Sequence, residues 1–586
     1  MAVTYADKPW IKGYDKGVPA SCMPYPKHTL FQFLTDAAKK NPSALCTLTS
    51  AHLPLLGRQA ATTTYGEIES KSDAFAVALA ELGVKKGDRV AIILPNCAQF
   101  VIAFYGIMKA GAIVCALNPT YPPDKLKELL QDCGANTVVV LTKFYDGIKQ
   151  IQADTPVKNV IATNIKEYLP PIAGFLFTIA KEKKEGHAIE KHAADHWMGD
   201  LVGKYAGRKP NVTVTPEDEA IFQYTGGTTG ISKAAVATHQ ALVNNALMMR
   251  AAFGNYLDPS GEVLLAAIPL FHVFGMVAVL TLGISTGSKL LMVANPREID
   301  EMLEVITAYK PTVFMGVPAL YNAINNNKGV LEGKYNIKSI KACCSGSAPL
   351  APATKQRFEQ LSGGKLCEGF GMSECPTAVA VNPLDGVPRD GSIGLPLPDV
   401  EMRIINIDDG KTEMPQGEAG ELAIWSPNLM KGYHNKPKET ETALRVMDDG
   451  RKWLFTGDIA YMDEDGYFYI VDRKKDMALI GGFNVYPANV EKIFMEHPAV
   501  QDVGVAAIPH PDPSKEGQEA VKAWIILKPG QTATAEDLIK FAGTKLAPYE
   551  VPYRIEFISE LPKTLVGKVL RRELVKMEME SRAKKN

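Results

Sequence analysis

Residues 224–235 read YTGGTTGISKAA and directly follow an apolar segment, residues 220–223, that is predicted to be a β-strand. Glycines let the backbone fold closely around oxygen atoms, threonine hydroxyls and backbone N–H groups donate hydrogen bonds, and Lys233 adds a positive charge. This combination suits a polyphosphate. The stretch is not a Walker A loop, because Lys233 lies three residues after Gly230 and the GxxxxGK[ST] spacing is not met. Taken alone, it also fits a flexible Gly/Thr turn.

Strand and helix signals alternate on both sides of this stretch, which predicts βαβ units and a mostly parallel sheet. The predicted strands are residues 88–94, 112–117, 137–141, 262–268, 289–293, 312–317 and 339–344, and the predicted helices are residues 98–109 and 124–133. Short strands with turn signals follow residue 391, and a last strand-and-helix unit follows residue 472. We therefore predict an α/β fold: a large N-terminal domain of α/β layers with a distorted β subdomain, residues 1–474, and a small mobile C-terminal α/β domain, residues 475–586.

Composition excludes several classes of protein. The 586 residues are 46% hydrophobic and 22% charged, as in a soluble globular chain of roughly three or four structural units. Lys plus Arg number 64 against 65 Asp plus Glu, so the basic excess of a nucleic-acid-binding protein is absent. Nine cysteines without a CxxC pair predict reduced, buried thiols rather than a disulfide framework or a zinc site. The N-terminus lacks the pattern of a signal peptide, so we expect a cytoplasmic protein.

Two apolar stretches raise the question of a membrane. Residues 263–284 are long enough to span a bilayer, but Pro269, Gly275 and Gly283 interrupt them, and a buried strand, loop and helix is the preferred interpretation. Residues 170–180 read PPIAGFLFTIA and precede the lysine-rich KEKKEGH. They predict a peripheral contact with the inner face of the cell membrane, and a loop packed on its own domain is the open alternative.

Four further motifs carry groups that suit nucleotide chemistry. In EGFGMSE, residues 368–374, Phe370 offers a face for a base, Ser373 a hydroxyl, and Glu374 a hard oxygen ligand for Mg²⁺. In TGD, residues 456–458, Asp458 follows a predicted strand, residues 452–455, and could accept both hydroxyls of a ribose. The others are DRKKD, residues 472–476, followed by ALIGGFNVYP, and PKTLVGKVLRREL, residues 562–574, which carries Lys568 into a basic helix. Each alone also fits a core aromatic, a turn or a solvated charge run.

Together and in this order, the motifs resemble the adenylate-forming superfamily of acyl-CoA synthetases, adenylation domains and luciferases. The resemblance covers residues 25–575 and includes PLFHVFG, residues 269–275, and GELAIWSPNLMKGY, residues 420–433. The Gly-Gly form of the first loop and the string GFNVYP look most like bacterial and archaeal long-chain fatty acid–CoA ligases.

The resemblance implies a role for each matching residue. The implied nucleotide-binding residues are Thr225, Gly226, Gly227, Thr228, Thr229, Gly230, Lys233, Ser347, Ala348, Gly369, Phe370, Gly371, Ser373, Asp458, Arg473, Lys475 and Lys568. The implied catalytic residues are Lys568, Glu374, Thr225 and His272, of which Thr225 and Glu374 would also ligate Mg²⁺. Lys475 matches the hinge of the small domain, and His272 stands where relatives close the acyl pocket. Ser232 replaces a frequent proline, while Lys233 is retained.

The implied reaction is ATP-dependent activation of a medium- or long-chain fatty acid to acyl-AMP and then to acyl-CoA, with release of pyrophosphate and AMP. ATP, Mg²⁺ and the co-substrate coenzyme A are the implied cofactors, and a homodimer is suggested by the family alone. One alternative is a CoA ligase for aryl acids or an enzyme that loads a carrier protein. Another is an inactive lipid-binding protein, which we would expect to have lost Lys568 or Glu374; both are present.

Overall fold

The computed structural model describes residues 4–53, 57–225, 232–258, 261–480, 483–512, 515, 518–563 and 569–583. The chain divides into two compact units. The larger unit comprises Gly13–Val400 and Trp425–Leu444, and the smaller one Met1–Lys12, Glu401–Ile424 and Arg445–Asn586. The fold is α/β, as predicted. The predicted domain boundary after residue 474 stays a prediction, since this division falls at other residues.

Both units combine helices with β-sheets. The strands are β1 (Leu45–Leu53), β2 (Gly57–Thr64), β3 (Arg89–Ile93), β4 (Ile113–Ala116), β5 (Thr137–Leu141), β6 (Asn159–Thr163), β7 (His196–Trp197), β8 (Glu219–Thr225), β9 (Lys233–Thr238), β10 (Val263–Ala266), β11 (Lys289–Met292), β12 (Val313–Gly316), β13 (Ala342–Ser345), β14 (Lys365–Met372), β15 (Cys375–Val381), β16 (Leu395–Pro396), β17 (Glu401–Ile405), β18 (Gly420–Trp425), β19 (Gly432–Tyr433), β20 (Leu444–Val446), β21 (Lys452–Met462), β22 (Phe468–Arg473), β23 (Ala478–Ile480), β24 (Phe483–Val485), β25 (Val500–Pro509), β26 (Glu519–Leu527) and β27 (Arg554–Phe557). The α-helices are α1 (Gln32–Lys40), α2 (Tyr65–Glu81), α3 (Ala98–Lys109), α4 (Pro123–Cys133), α5 (Thr142–Ile151), α6 (Pro171–Phe177), α7 (Met198–Lys204), α8 (His239–Ala252), α9 (Val273–Gly275), α10 (Leu282–Thr286), α11 (Ile299–Tyr309), α12 (Pro318–Asn325), α13 (Lys328–Leu331), α14 (Pro352–Ser362), α15 (Pro437–Ala443), α16 (Pro487–Met495), α17 (Ala535–Gly543) and α18 (Arg571–Ala583).

The larger unit contains two large sheets whose central strands are parallel and buried. The eight-stranded sheet has the order β19-β9-β8-β4-β3-β5-β6-β7, and the nine-stranded sheet has the order β16-β15-β14-β13-β12-β10-β11-β1-β2. Their apolar strands connect through helices, as the sequence predicted. The sheets turn antiparallel at β8-β9-β19, at β14-β15-β16 and at β1-β2. The first two of these antiparallel edges carry predicted site residues.

Most of the apolar residues 263–284 are buried in the larger unit, which confirms the preferred interpretation. They form β10, a loop, the short helix α9 and a π-helical segment, Met276–Thr281, that continues into α10. The Asn96 side-chain amide holds the loop by donating to the Ala266 and Ile268 carbonyls at 2.7 and 2.9 Å. No helix in the described ranges is long and apolar enough to cross a membrane.

Residues 171–180 are helical rather than a loop, but one face of them packs on its own domain, as the open alternative predicted. The helix α6 continues into a π-helical segment, Thr178–Glu182. One of its faces is packed: Ala173 and Phe177 are buried against Ile165 and Leu169. All nine cysteines have free thiols, and eight of them are buried, as expected.

Three sheets belong to the smaller unit within its described residues. β17, β18, β21 and β20 follow one another in a five-stranded sheet in which β22 pairs with β21. β25, β26 and β27 form a second sheet, and β23 pairs with β24. The helices α16 and α17 pack on β25–β27 around a core that includes Val490, Phe494, Val505, Ile525 and Leu538. The short strands predicted after residue 391 and the last strand-and-helix unit are thereby confirmed.

A substitution of Gly275 tests how closely α9 packs against the loop that precedes it. A Cβ at this position would lie 2.3 Å from the Pro269 carbonyl oxygen, whereas a Cβ at Gly203 in α7 has nothing within 4 Å. Gly275→Ala should lower the free energy of unfolding by about 2–4 kcal/mol. Gly203→Ala should leave it unchanged or raise it by about 0.5–1 kcal/mol. Urea unfolding followed by tryptophan fluorescence measures both; equal effects of the two substitutions would contradict this packing.

Candidate active site

The predicted phosphate loop connects two antiparallel strands at one edge of the eight-stranded sheet. β8 ends at Thr225, β9 begins at Lys233, and these two residues are direct cross-strand partners. Gly226, Gly227, Thr228, Thr229 and Gly230 lie outside the described residues. The hairpin register nevertheless holds the hydroxyl-bearing Thr225 and the cationic Lys233 opposite each other at the two ends of the loop. This strand–loop–strand arrangement differs from the strand–loop–helix of a Walker A motif.

Lys233 and Glu374 are connected through Tyr433. β19, which contains Tyr433, pairs with β9 of the same edge. The Lys233 Nζ lies 5.3 Å from the centroid of the Tyr433 ring, within the range of a cation–π interaction. The Tyr433 hydroxyl donates a hydrogen bond of 2.7 Å to Glu374 Oε1, and the Met430 N–H donates one of 2.8 Å to the Glu374 carbonyl. The Lys233 ammonium group, the Tyr433 ring and the Glu374 carboxylate therefore lie next to one another.

Tyr433 was not among the predicted site residues. It is the last residue of the string GELAIWSPNLMKGY, which the resemblance singled out without a role for it. Tyr433 and Glu374 are 59 residues apart in the chain, and no local pattern pairs them. The string itself was the available signal.

The segment around Phe370 is shaped by its two flanking glycines. A Cβ on Gly371 would lie 1.7 Å from the Thr377 carbonyl oxygen, and one on Gly369 would lie 2.8 Å from Cys344 Sγ. Neither position therefore tolerates a side chain without movement of the neighbouring strand. Phe370 stands half-buried between them on β14, and Ser373 and Glu374 follow in the turn to β15.

The predicted residues Ser347 and Ala348 follow β13, the parallel neighbour of β14. Ser347 has a φ of 70°, an uncommon conformation for a residue with a side chain, and is exposed. A Cβ on the adjacent Gly346 would lie 3.6 Å from the Gly369 carbonyl oxygen. The loop after β13 therefore lies against the strand that carries Phe370, and the two predicted groups occur together.

His272 is held as a neutral ring. Its Nδ1 accepts a hydrogen bond of 3.3 Å from the Phe274 N–H at the start of α9, so the ring proton is assigned to Nε2. Burial lowers the pKa of His272 to about 4. At neutral pH this side chain can donate one hydrogen bond from Nε2 but brings no charge.

Asp458 and Arg473, both predicted to contact a ribose, form an ion pair in the smaller unit. Arg473 Nε lies 2.7 Å from Asp458 Oδ1, and Arg473 Nη1 donates to the Thr456 carbonyl at 3.2 Å. The prediction that the strand ends before TGD is wrong, since β21 continues to Met462. Gly457, with a φ of 70°, produces an irregularity inside the strand rather than its end.

Lys475 is an exposed residue of the turn that follows β22. Lys568 lies outside the described residues, but its flanks are fixed: Lys563 pairs with Val569 in an isolated bridge, and Leu570 N–H donates to the Pro562 carbonyl at 2.8 Å. The described residues on the two sides of this segment, Lys563 and Val569, therefore lie next to each other.

Arg571, another residue that the sequence did not predict, lies three residues after Lys568 at the start of α18. Its guanidinium contacts Asp472 and Asp476 at 3.1 Å each and Glu491 at 2.8 Å. Asp472 and Asp476 lie on either side of Lys475. Arg571 thereby connects the start of α18, which follows Lys568 in the chain, to the turn predicted as the hinge.

Comparison with known families gives the geometry a context. The model of the AMP-binding enzyme family matches residues 34–434, and the model of the AMP-binding enzyme C-terminal domain matches residues 489–568. The chain belongs to the AMP-binding enzyme family. All the predicted site residues of the larger unit lie within the first match, and Lys568 is the last residue of the second.

Curated relatives of this AMP-binding enzyme match it along nearly its whole length. It is 38% identical to a long-chain-fatty-acid–CoA ligase of Bacillus subtilis (strain 168), with 98% of this chain and 99% of the relative covered. It is 36% identical to a long-chain-fatty-acid–CoA ligase of Escherichia coli O6:H1, with 97% and 98% covered. Among solved structures, ATP-bound MatB from Rhodopseudomonas palustris has a TM-score of 0.78 at 26% identity, with 94% of this chain and 99% of that chain covered.

The pKa of His272 predicts a pH dependence of stability. Because the folded-state pKa of about 4 lies below the ordinary value of 6.5, the unfolded chain takes up a proton first as the pH falls. The stabilisation is complete above pH 6.5 and is lost as the pH falls towards 4. His272→Asn, whose side-chain oxygen can still accept from the Phe274 N–H, should reduce this acid-induced loss by about 1–3 kcal/mol.

Urea unfolding at a series of pH values measures this difference. His239, whose pKa burial also lowers to about 4, contributes its own share in both proteins and serves as the internal reference. Identical pH profiles of the wild type and His272→Asn would contradict the assignment.

Proposed function

We propose that this AMP-binding enzyme activates a medium- or long-chain fatty acid, first to acyl-AMP and then to acyl-CoA. The contact from Lys233 through Tyr433 to Glu374 carries the proposal, because it puts a cation and a carboxylate beside the hairpin that starts at Thr225. A magnesium-bound polyphosphate needs both. The acyl chain is proposed from the two long-chain-fatty-acid–CoA ligases that match nearly the entire chain.

The residues present fit a magnesium ion. Glu374 receives one side-chain hydrogen bond, from Tyr433 to Oε1, and forms no ion pair within the described ranges. Its carboxylate and the Thr225 hydroxyl are hard oxygen ligands, which Mg²⁺ prefers. Clusters of three or more His, Cys, Asp or Glu side chains that could hold a metal are absent from the described part of the chain. Such a sparse set suits Mg²⁺, which protein sites usually bind through one or two carboxylates plus substrate phosphates. When bound, the ion would neutralise phosphate charge.

The first half-reaction joins two anions. A carboxylate oxygen of the fatty acid attacks the α-phosphorus of ATP, and the bond to the β-phosphate oxygen breaks to release pyrophosphate. We assign Lys233 and Lys568 to neutralising the charge that gathers on the phosphates, because positioned cations act where charge develops. The neutral His272 Nε2–H can donate a hydrogen bond to the substrate carboxylate. Because the ring carries no positive charge, it does not form an ion pair that would hold the carboxylate back from ATP.

In the second half-reaction the CoA sulfur attacks the carbonyl carbon of acyl-AMP, the bond to the phosphate oxygen breaks, and AMP leaves. The thiol proton is released to solvent. AMP is a good leaving group, so this step needs access for the thiol more than further charge. We propose that the C-terminal domain, carrying Lys568, turns about Lys475 between the two steps. Support comes from the position of Lys475 in an exposed turn.

The acid specificity is tested by pyrophosphate release with a panel of acids from acetate to palmitate, including benzoate and a coumarate. A 4-coumarate–CoA ligase-like protein of Arabidopsis thaliana is 31% identical over 84% of this chain, which keeps aryl acids as the second candidate. We expect the highest kcat/KM for the longer fatty acids. Equal or higher kcat/KM values for the aryl acids would favour the second candidate. Pyrophosphate release in the absence of CoA would show that adenylation proceeds without thioester formation. If no acid causes pyrophosphate release, the protein would be an inactive binding protein.

Substitutions of the two lysines should separate the half-reactions. Lys568→Ala should slow acyl-AMP formation by about 10²–10³-fold, as loss of one charge-stabilising donor does, yet still convert supplied acyl-AMP to acyl-CoA. Lys475→Pro should form acyl-AMP and fail to transfer it, because a hinge needs backbone freedom. Single-turnover assays of each step decide this, with Lys576→Ala on the exposed face of α18 as the matched control. If both folded variants lose both steps equally, the alternating-domain proposal is wrong.

We also propose that the enzyme binds a membrane surface reversibly, since a long-chain fatty acid partitions into lipid. The exposed apolar side chains of α6 support this position. A homodimer, whose sole support is the family resemblance, is proposed as the state in solution, and light scattering after size-exclusion chromatography measures it.

A further inference from the structure

Three of the most exposed large apolar side chains of the described residues lie on one short stretch of helix. Ile172, Phe175 and Ile179 have exposed fractions of 69%, 64% and 68%. Their spacing of three and four residues puts them on one side of α6 and its π-helical continuation. We call these three side chains the α6 stripe. A contiguous exposed apolar stripe, unlike scattered exposed residues, indicates a surface that binds another molecule or a membrane.

The α6 stripe cannot turn inward, because the opposite face of the helix is already used. Ala173 and Phe177 are buried against Ile165 and Leu169. The Phe177 ring also meets the His187 ring edge-on, with 5.7 Å between the centroids. The helix is therefore fixed to the larger unit by one face and presents the other to its surroundings.

The charges beside the α6 stripe leave a surplus of lysine. Glu182 is paired with Lys166 at 2.6 Å, and Glu185 with Lys181 at 3.3 Å. Lys183 and Lys184, in the turn that follows, are exposed and form no ion pair within the described ranges. Two ammonium groups next to an apolar stripe match the order of an anionic bilayer, in which phosphates lie directly above hydrocarbon.

We propose that the α6 stripe inserts into the surface of an anionic bilayer while Lys183 and Lys184 bind lipid phosphates. The inference rests on the membrane position proposed above and names the element responsible. A second copy of the chain is the less suitable occupant, because three side chains bury far less than the roughly 800 Å² per partner of a stable protein interface. Hydrocarbon, by contrast, covers an apolar surface without shape complementarity.

The test is flotation of the full-length protein with vesicles of equal parts phosphatidylcholine and phosphatidylglycerol, and with vesicles of phosphatidylcholine alone. The wild type should float with the anionic vesicles, less with the neutral ones, and less at high salt. The triple variant Ile172→Ser, Phe175→Ser, Ile179→Ser should lose about tenfold or more of its partitioning. The double variant Lys183→Glu, Lys184→Glu should bind less to the anionic vesicles, and its binding to the phosphatidylcholine vesicles should be unchanged.

A matched control removes three exposed apolar side chains elsewhere on the larger unit: Met23→Ser, Leu331→Ser and Val387→Ser, whose exposed fractions are 51%, 48% and 66%. This variant should float like the wild type. Acid-dependent pyrophosphate release with octanoate, without vesicles, should be unchanged in the α6 variants and shows that they are folded. It also separates this inference from the proposed reaction, because absence of release in the wild type would contradict the reaction and not the membrane contact.

Three results would overturn the proposal. The α6 triple variant could float as the wild type does, or the wild type could stay unbound with both kinds of vesicle. In the third, light scattering would find the wild type dimeric and the α6 variant monomeric, which would assign the stripe to a second copy of the chain.

Discussion

The candidate site of the larger unit depends on one hydrogen bond, from the Tyr433 hydroxyl to the Glu374 carboxylate. Tyr433 belongs to the eight-stranded sheet through β19, and Glu374 to the β14–β15 turn of the nine-stranded sheet. The Met430–Glu374 backbone bond secures the same junction. Because Lys233 lies over the same tyrosine ring, the junction sets the distance between a cation and an anion that come from separate sheets. Two parallel sheets packed side by side would not fix this distance; their antiparallel edges do.

Much of the fold was readable from the sequence, because buried parallel strands and the helices between them have plain patterns. The predicted strand 137–141 and the predicted helix 98–109 agree residue for residue with β5 and α3. The antiparallel edges were not readable, since short strands such as β19 carry no periodicity of their own. The same holds for β21: Gly457 looks like a strand end, but cross-strand pairing with β22 carries the strand past it.

The site residues divide in the same way. Motifs along the chain indicated Thr225, Lys233, Phe370 and Glu374, and the structure brings their elements together. The contacts of Tyr433 and Arg571 were not predicted, because each joins residues that are far apart in the chain. Only the folded structure shows which distant residues come together. Arg571 is a case in which burial and charge oppose each other. Burial raises the pKa of Asp472 and Glu491, while the guanidinium lowers it, so the cluster contributes position more than stability.

Gly369 and Gly371 have a different consequence, which concerns how such a protein can change over time. Neither glycine has a side chain to offer to chemistry, yet a methyl group at either position would meet Cys344 Sγ or the Thr377 carbonyl oxygen. In a collection of related sequences, positions constrained in this way would vary as little as a magnesium ligand does. Conservation of Gly369 and Gly371 would therefore reflect close packing against neighbouring atoms rather than ligand binding. Only at Phe370, between them, would conservation reflect selection for the ligand.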